Sequence, residues 1–186
     1  VGYCLLTPLL DREDPEYGAV IGRVLEKLRT LGVTTCIDFV TPKRERWWKF
    51  RRFRKTLHRV DILSIGEDQA EGLTGITDER TAARALVDDY GVRVAVIHCG
   101  DKGVNYLYSN ETGLLAQPIF LVPPEEYAGN TGAGDAFTSG LLHGFHQGWD
   151  AQKSLKYATA AAAVSLGSLT ATGAMREEKY ILEYMK

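Results

Sequence analysis

Segments of β character alternate with segments of helical period along nearly the whole chain, and that alternation leaves few folds open to it. Residues 2–6 form a short apolar run. Residues 17–31 carry Val20, Ile21, Val24, Leu25, Leu28 and Leu31 at helical spacing. Residues 33–40 are β-branched and end near Asp38, and 60–65 read as another strand. Residues 67–73 and 79–90 read as helices, and 92–99 as the clearest buried strand. Residues 105–108 and 115–122 pair around the turn at 109–113. Helices follow at 133–147, 151–166 and 175–184, the second so rich in alanine that it must pack closely on a neighbour. Near-continuous apolar strands separated by helices predict a mostly parallel sheet with helices on both faces, a three-layer αβα domain.

In such a sheet, ligands bind beyond the carboxyl ends of the strands. Asp38, Gly66 and Gly100 fall at those ends. The richest stretch is Gly129-Asn130-Thr131-Gly132-Ala133-Gly134-Asp135-Ala136-Phe137, where small residues run into an acid and then into a helix. Small residues let backbone N–H groups turn toward an anion, and the helix start adds the positive end of its dipole. Asp135 places a carboxylate beside that anion site, where a general base for phosphoryl transfer would stand. The plainer alternative is a glycine-rich turn with Asp135 as a helix N-cap.

Composition excludes several classes. The 186 residues suffice for one sizeable core. A formal charge of −2, with 45% apolar and 25% charged residues, describes a globular chain with no global bias toward nucleic acid or membranes. No apolar run is long enough to cross a bilayer, and no signal peptide precedes the first strand-like segment. Cys4, Cys36 and Cys99 each sit in an apolar stretch without a CxxC pair, which predicts reduced, buried thiols and a cytoplasmic protein.

The order of motifs resembles the PfkB (ribokinase-like) carbohydrate kinase family. Its second signature is similar to Gly132-Ala133-Gly134-Asp135-Ala136-Phe137. The segment Asp61-Ile62-Leu63-Ser64-Ile65-Gly66-Glu67-Asp68-Gln69-Ala70-Glu71-Gly72-Leu73-Thr74-Gly75 resembles its NxxEAxxLTG region, and Gly100-Asp101-Lys102-Gly103 its GxxG nucleotide loop. The alanine-rich helix and Gly173-Ala174 match its C-terminal part. The resemblance covers nearly all of the chain but only the later part of the family's length. It implies a ribokinase-like fold, with residues 1–186 as the C-terminal nucleotide-binding and catalytic portion and the substrate and lid part absent.

It further implies ATP-dependent phosphorylation of a hydroxymethyl group on a sugar-like small molecule. Asp135 would be the base, and Gly132, Ala133 and Gly134 the anion hole. Gly100, Asp101, Lys102, Gly103, Thr131 and Thr159 would face the nucleotide, and Asp38 with Asp135 the substrate. Mg²⁺ would lie near Gln69 and Glu67, mostly through water, and a monovalent cation belongs to the same expected cofactor set. A chain opening at Val1 directly into a strand reads as part of something longer, so the exposed sheet edge would be covered by further residues or in a homo-oligomer.

The chain also departs from the family pattern. Gly129 and Asn130 replace an acid and a Thr, Gly66 and Gln69 stand at the NxxE positions, Val40 and Pro42 interrupt DxNxR, and Thr159 replaces an Asn. A second reading follows, a nucleotide-binding or scaffold protein that has lost turnover. Residues 43–59 hold nine Lys or Arg and one acid, interleaved with Trp47, Trp48, Phe50 and Phe53. We read them as an amphipathic helix with its aromatics toward the core and no nucleic-acid role. His143 and His146 are expected on a helix surface, and His98 is expected to satisfy a backbone carbonyl.

Overall fold

The computed structural model describes residues 2–41 and 43–186. Pro42, one of the positions set against DxNxR, and Val1 lie outside the described residues. The strands are β1 (Gly2–Cys4), β2 (Glu13–Asp14), β3 (Gly18–Ala19), β4 (Cys36–Phe39), β5 (Ile62–Gly66), β6 (Val94–His98), β7 (Val104–Ser109) and β8 (Gly113–Pro118). The helices are α1 (Ile21–Thr30), α2 (Glu67–Thr74), α3 (Glu79–Asp88), α4 (Ala133–His146), α5 (Ala151–Ser165) and α6 (Glu178–Tyr184). A six-stranded sheet runs in the order β1-β4-β5-β6-β7-β8, parallel from β1 through β4 to β5 and antiparallel at β6–β7. Every residue of β4 and β5 is buried, as expected of strands covered on both faces. This is the expected αβα class. The chain divides into two compact units, Val1–Ile97 with Tyr106–Leu114, and His98–Asn105 with Leu115–Lys186.

In the first unit, the helix expected at 17–31 begins only at Ile21. Asp14 causes the delay, because its Oδ1 accepts the N–H groups of Glu16 and Tyr17, each at 3.0 Å, and closes a turn between β2 and β3. The Arg23 guanidinium, 2.6 Å from Asp14 Oδ2, holds that carboxyl below its ordinary pKa. Val24 and Leu31, apolar members of the periodic pattern, point to solvent.

The basic segment is a run of 3₁₀-helix, Arg44–Lys55, followed by a second short one, Leu57–Arg59. Three residues per turn bring i and i+3 into register, so Arg44, Trp47, Phe50 and Phe53 form one column. Phe50 and Phe53 are fully buried and meet Phe39 edge-on at 5.5 and 5.1 Å. Trp48 belongs to another column and is 60% exposed, against the expectation that all four aromatics face inward. Several cations tie the unit together. Arg52 donates to Asp11 O at 2.7 Å and Arg54 to Leu73 O at 2.6 Å, while Arg59 pairs with Glu26 at 2.8 Å and lies 4.5 Å from the Tyr17 ring.

In the second unit, α4 and α5 pack at close range. A Cβ on Gly140 would stand 3.0 Å from Ala158 Cα, and one on Gly144 2.9 Å from Ser154 Cα. This is the neighbour that the alanine-rich helix required. α6 then covers α5 through Ile181 and Met185, packed with Tyr157, Ala160 and Ala161. His143, expected on the helix surface, is half-buried. Its ring sits 5.5 Å from Trp149 and 5.3 Å from Tyr157, with Nε2 3.3 Å from Glu178 Oε1, whereas His146 is exposed.

Among the described residues, no helix is long and apolar enough to cross a membrane. All three cysteines are buried free thiols, and burial raises Cys36 to about 12 and Cys4 higher still.

Two outcomes follow from this packing. Gly144→Val should lower the melting temperature by several degrees, since overpacking against the Ser154 backbone costs about 1–3 kcal/mol. A thiol reagent at pH 8 should leave the native cysteines unlabelled and titrate three only after denaturation.

Candidate active site

The start of α4 is built by a glycine that no other residue replaces without cost. Gly132 caps the helix in the left-handed conformation, φ +84°, and a Cβ there would stand 2.6 Å from both Cα and Cβ of Ala171. The preceding loop hangs from the end of α5, because Leu166 O accepts the N–H groups of Ala128 at 2.8 Å and Gly129 at 3.2 Å. Asn130 O takes the Ala133 N–H at 3.2 Å, and the helix proper begins with Ala136 N–H donating to Gly132 O at 2.8 Å. The remaining first-turn N–H groups have no acceptor within the helix and carry the positive end of its dipole. Asp135 stands at the third position of this turn, exposed to solvent. It is therefore not the N-cap of the plainer alternative; Gly132 is.

The 100–103 motif is a tight 3₁₀ turn in the same unit. Lys102 N–H donates to Cys99 O at 3.0 Å, Gly103 N–H to Gly100 O at 3.2 Å, and Gly103 O accepts from Ile119 N–H at 3.0 Å. Asp101 and Lys102 are exposed, as is Thr131 ahead of Gly132. His98, at the end of β6, joins the two motifs. Its ring is 5.5 Å from that of Phe137, and a Cβ on Gly134 would lie 3.4 Å from His98 Cε1. Two segments about thirty residues apart in sequence thus meet at the first turn of α4.

Thr159 is 2% exposed and belongs to a buried hydrogen-bond chain. Its hydroxyl donates to Leu155 O at 2.9 Å and accepts from Asn105 Nδ2 at 3.1 Å, while Asn105 Oδ1 accepts the Cys99 N–H at 2.9 Å. Asn105 escaped the sequence reading. The one signal available was an amide inside an otherwise apolar strand.

In the first unit, Asp38 is buried on β4 and its Oδ1 accepts the N–H of Phe39 at 2.6 Å. Glu67 lies in the first turn of α2. Gln69 is buried and heavily engaged. Its Oε1 accepts the Gly66 N–H at 2.9 Å, and its Nε2 donates to Phe39 O at 2.7 Å and Thr41 Oγ1 at 3.0 Å. The amide is a strut between β4 and α2, with a single lone pair left over. Among the described residues, no three His, Cys, Asp or Glu side chains group as a metal cage.

This glycine-capped helix start on an αβα sheet coincides with a family match: the pfkB family of carbohydrate kinases matches residues 14–178, and the chain belongs to that family. A cytidine kinase of Thermococcus kodakarensis is 35% identical over 127 residues, 68% of this chain and 44% of its own length. A 5-dehydro-2-deoxygluconokinase of Clostridium perfringens is 31% identical over 131 residues, 68% and 37% of the two chains. The structure of an Arabidopsis thaliana ribokinase complexed with ribose and ATP aligns with a TM-score of 0.72 at 25% identity, over 91% of this chain and 53% of that one. The chain thus spans less than half the length of these curated relatives and about half of the solved structure.

Gly132→Ala tests the geometry of the helix start. A left-handed Ala costs about 1–2 kcal/mol before any clash. Calorimetry should show lowered stability, and the amides of 133–135 should exchange faster with solvent.

Proposed function

We propose that residues 1–186 are the nucleotide-binding and catalytic portion of an ATP-dependent kinase. It transfers the γ-phosphoryl group to a hydroxyl of a sugar or related small molecule, in the cytoplasm. The observation that carries this reading is the start of α4, where a left-handed Gly132, small residues and the exposed Asp135 combine an anion cradle with a base in one helical turn. The kinase names of the relatives and the ATP in the ribokinase complex support it.

In this reading Asp135 accepts the proton of the acceptor hydroxyl as its oxygen bonds to phosphorus and the bond to the departing nucleotide phosphate breaks. The first-turn N–H groups and the dipole of α4 stabilise charge on the transferring group, a role that needs no side chain and so tolerates Gly and Ala. The 100–103 turn lies along the nucleotide, with Thr131 beside it. Asp38 orients the acceptor. Mg²⁺ would keep most of its ligands as water and nucleotide phosphate and would ask for one or two carboxylates. Glu67 is the side chain offered for that contact, with Gln69 holding its helix in place.

One observation favours the second reading, a member that binds nucleotide without turnover. Gly66 offers no side chain, and Gln69 spends its amide on Gly66, Phe39 and Thr41.

The test is ATP turnover by the full-length protein against a panel of sugars and nucleosides, beside Asp135→Asn. The variant should lose about 10²–10⁴-fold in kcat, the usual worth of a general base, while calorimetry shows ATP bound as before. An Asn variant of full activity would remove Asp135 as the base. ATP binding by the wild type without turnover on any acceptor would select the second reading.

A further inference from the structure

We propose that Asn105 is a positioning residue for the nucleotide loop at 100–103, acting through a buried relay that ties the loop to α5. The argument rests on the nucleotide-binding reading above, and it starts from polarity. The relay has a backbone group at each end, and each fixes the sense of every bond between them. Cys99 N–H can only donate, so the amide oxygen of Asn105 must face it, at 2.9 Å. The amide nitrogen is then turned to Thr159, whose Oγ1 accepts at 3.1 Å. Having accepted, the hydroxyl gives its own hydrogen to Leu155 O at 2.9 Å. Asn105 and Thr159 are 3% and 2% exposed, so water cannot substitute for either.

The relay acts on one place. Cys99 is the residue before Gly100, and its carbonyl accepts the Lys102 N–H that closes the loop. Fixing the Cys99 peptide therefore fixes the base of the turn. On the other side of the turn, Ile119 N–H donates to Gly103 O at 3.0 Å. Asp101 and Lys102 are exposed, and a Cβ on Gly100 or Gly103 would meet no atom within 4 Å. The loop thus carries a hydrogen bond at each end, and Asn105 supplies a buried one. Its position on β7, in the strand that leaves the loop, lets one side chain reach back to the strand that enters it.

The substitutions Asn105→Leu and Thr159→Val break the relay at different points, whereas Thr159→Ser keeps it. In the full-length protein, hydrogen exchange at the amides of 100–103 should quicken about tenfold in the first two variants and stay unchanged in Thr159→Ser, as a lost buried hydrogen bond requires. ATP affinity should fall about tenfold with the same ranking, and the double variant should be no weaker than either single one, because both remove one relay. The acceptor's KM should not move, which separates loop positioning from a general loss of structure. Unchanged exchange at 100–103 in Asn105→Leu overturns the proposal whether or not the protein binds ATP. If ATP fails to bind the wild type while exchange follows the predicted ranking, the relay stands as a loop anchor and the nucleotide reading falls. Equal ATP affinity in wild type and Asn105→Leu, with the wild type binding, overturns the nucleotide role alone.

Discussion

The contact between Gly132 and Ala171 is the constraint on which the second unit depends. A left-handed backbone at Gly132 aims the first-turn amides of α4 outward, and the Ala171 backbone fills the space where a side chain would stand. Two separate demands, one conformational and one steric, fall on the same residue. Their joint effect is to lock the loop that follows α5 against the loop that precedes α4. Leu166 O adds a third tie by receiving the amides of Ala128 and Gly129. The helix pair behind them is held at close range by Gly140 and Gly144, so the start of α4 rests on a closely packed support.

The first unit solves a different problem, the burial of aromatic surface beneath a strongly cationic segment. A 3₁₀ winding does this through its period of three, which matches the spacing of Trp47, Phe50 and Phe53. Many of the cations then serve architecture. They donate to the carbonyls of Asp11, Pro15 and Leu73 or pair with Glu26 and Glu71, tying the segment to the β2–β3 region and to α1 and α2. A charge-rich sequence on an otherwise acidic chain is here a set of struts.

The departures from the family pattern can be given physical content. With Gly66 and Gln69 in place of the more polar pair, the start of α2 loses a side chain and a charge. The remaining amide ties Gly66 to Phe39 and Thr41, which preserves the junction between β4 and α2. The junction is held although that side chain and that charge are absent. Thr159 shows the same exchange at another place, with Asn105 supplying an amide from β7 to the hydroxyl on α5.

By itself the sequence determined the αβα class, the main strands and α-helices though not the β2–β3 pair or the 3₁₀ winding of the basic segment, and the 100–103 and 132–135 motifs. Those features are written in local terms, as apolar period, small residues before a helix, and an acid at fixed spacing. Boundaries slipped where a side chain intervened. Asp14 delayed α1, and the strand expected at 115–122 begins at Gly113 and ends at Pro118, after which Ile119 turns its N–H to Gly103. Only the tertiary structure decided that Gly132, and not Asp135, caps α4, that His143 lies between Trp149 and Tyr157, and that Gln69 is a strut. It alone joined Asn105 to Thr159 across more than fifty residues. Hydrogen bonds of that reach, and steric limits such as Ala171 on Gly132, depend on which distant atoms share a space, and no local pattern of residues encodes that.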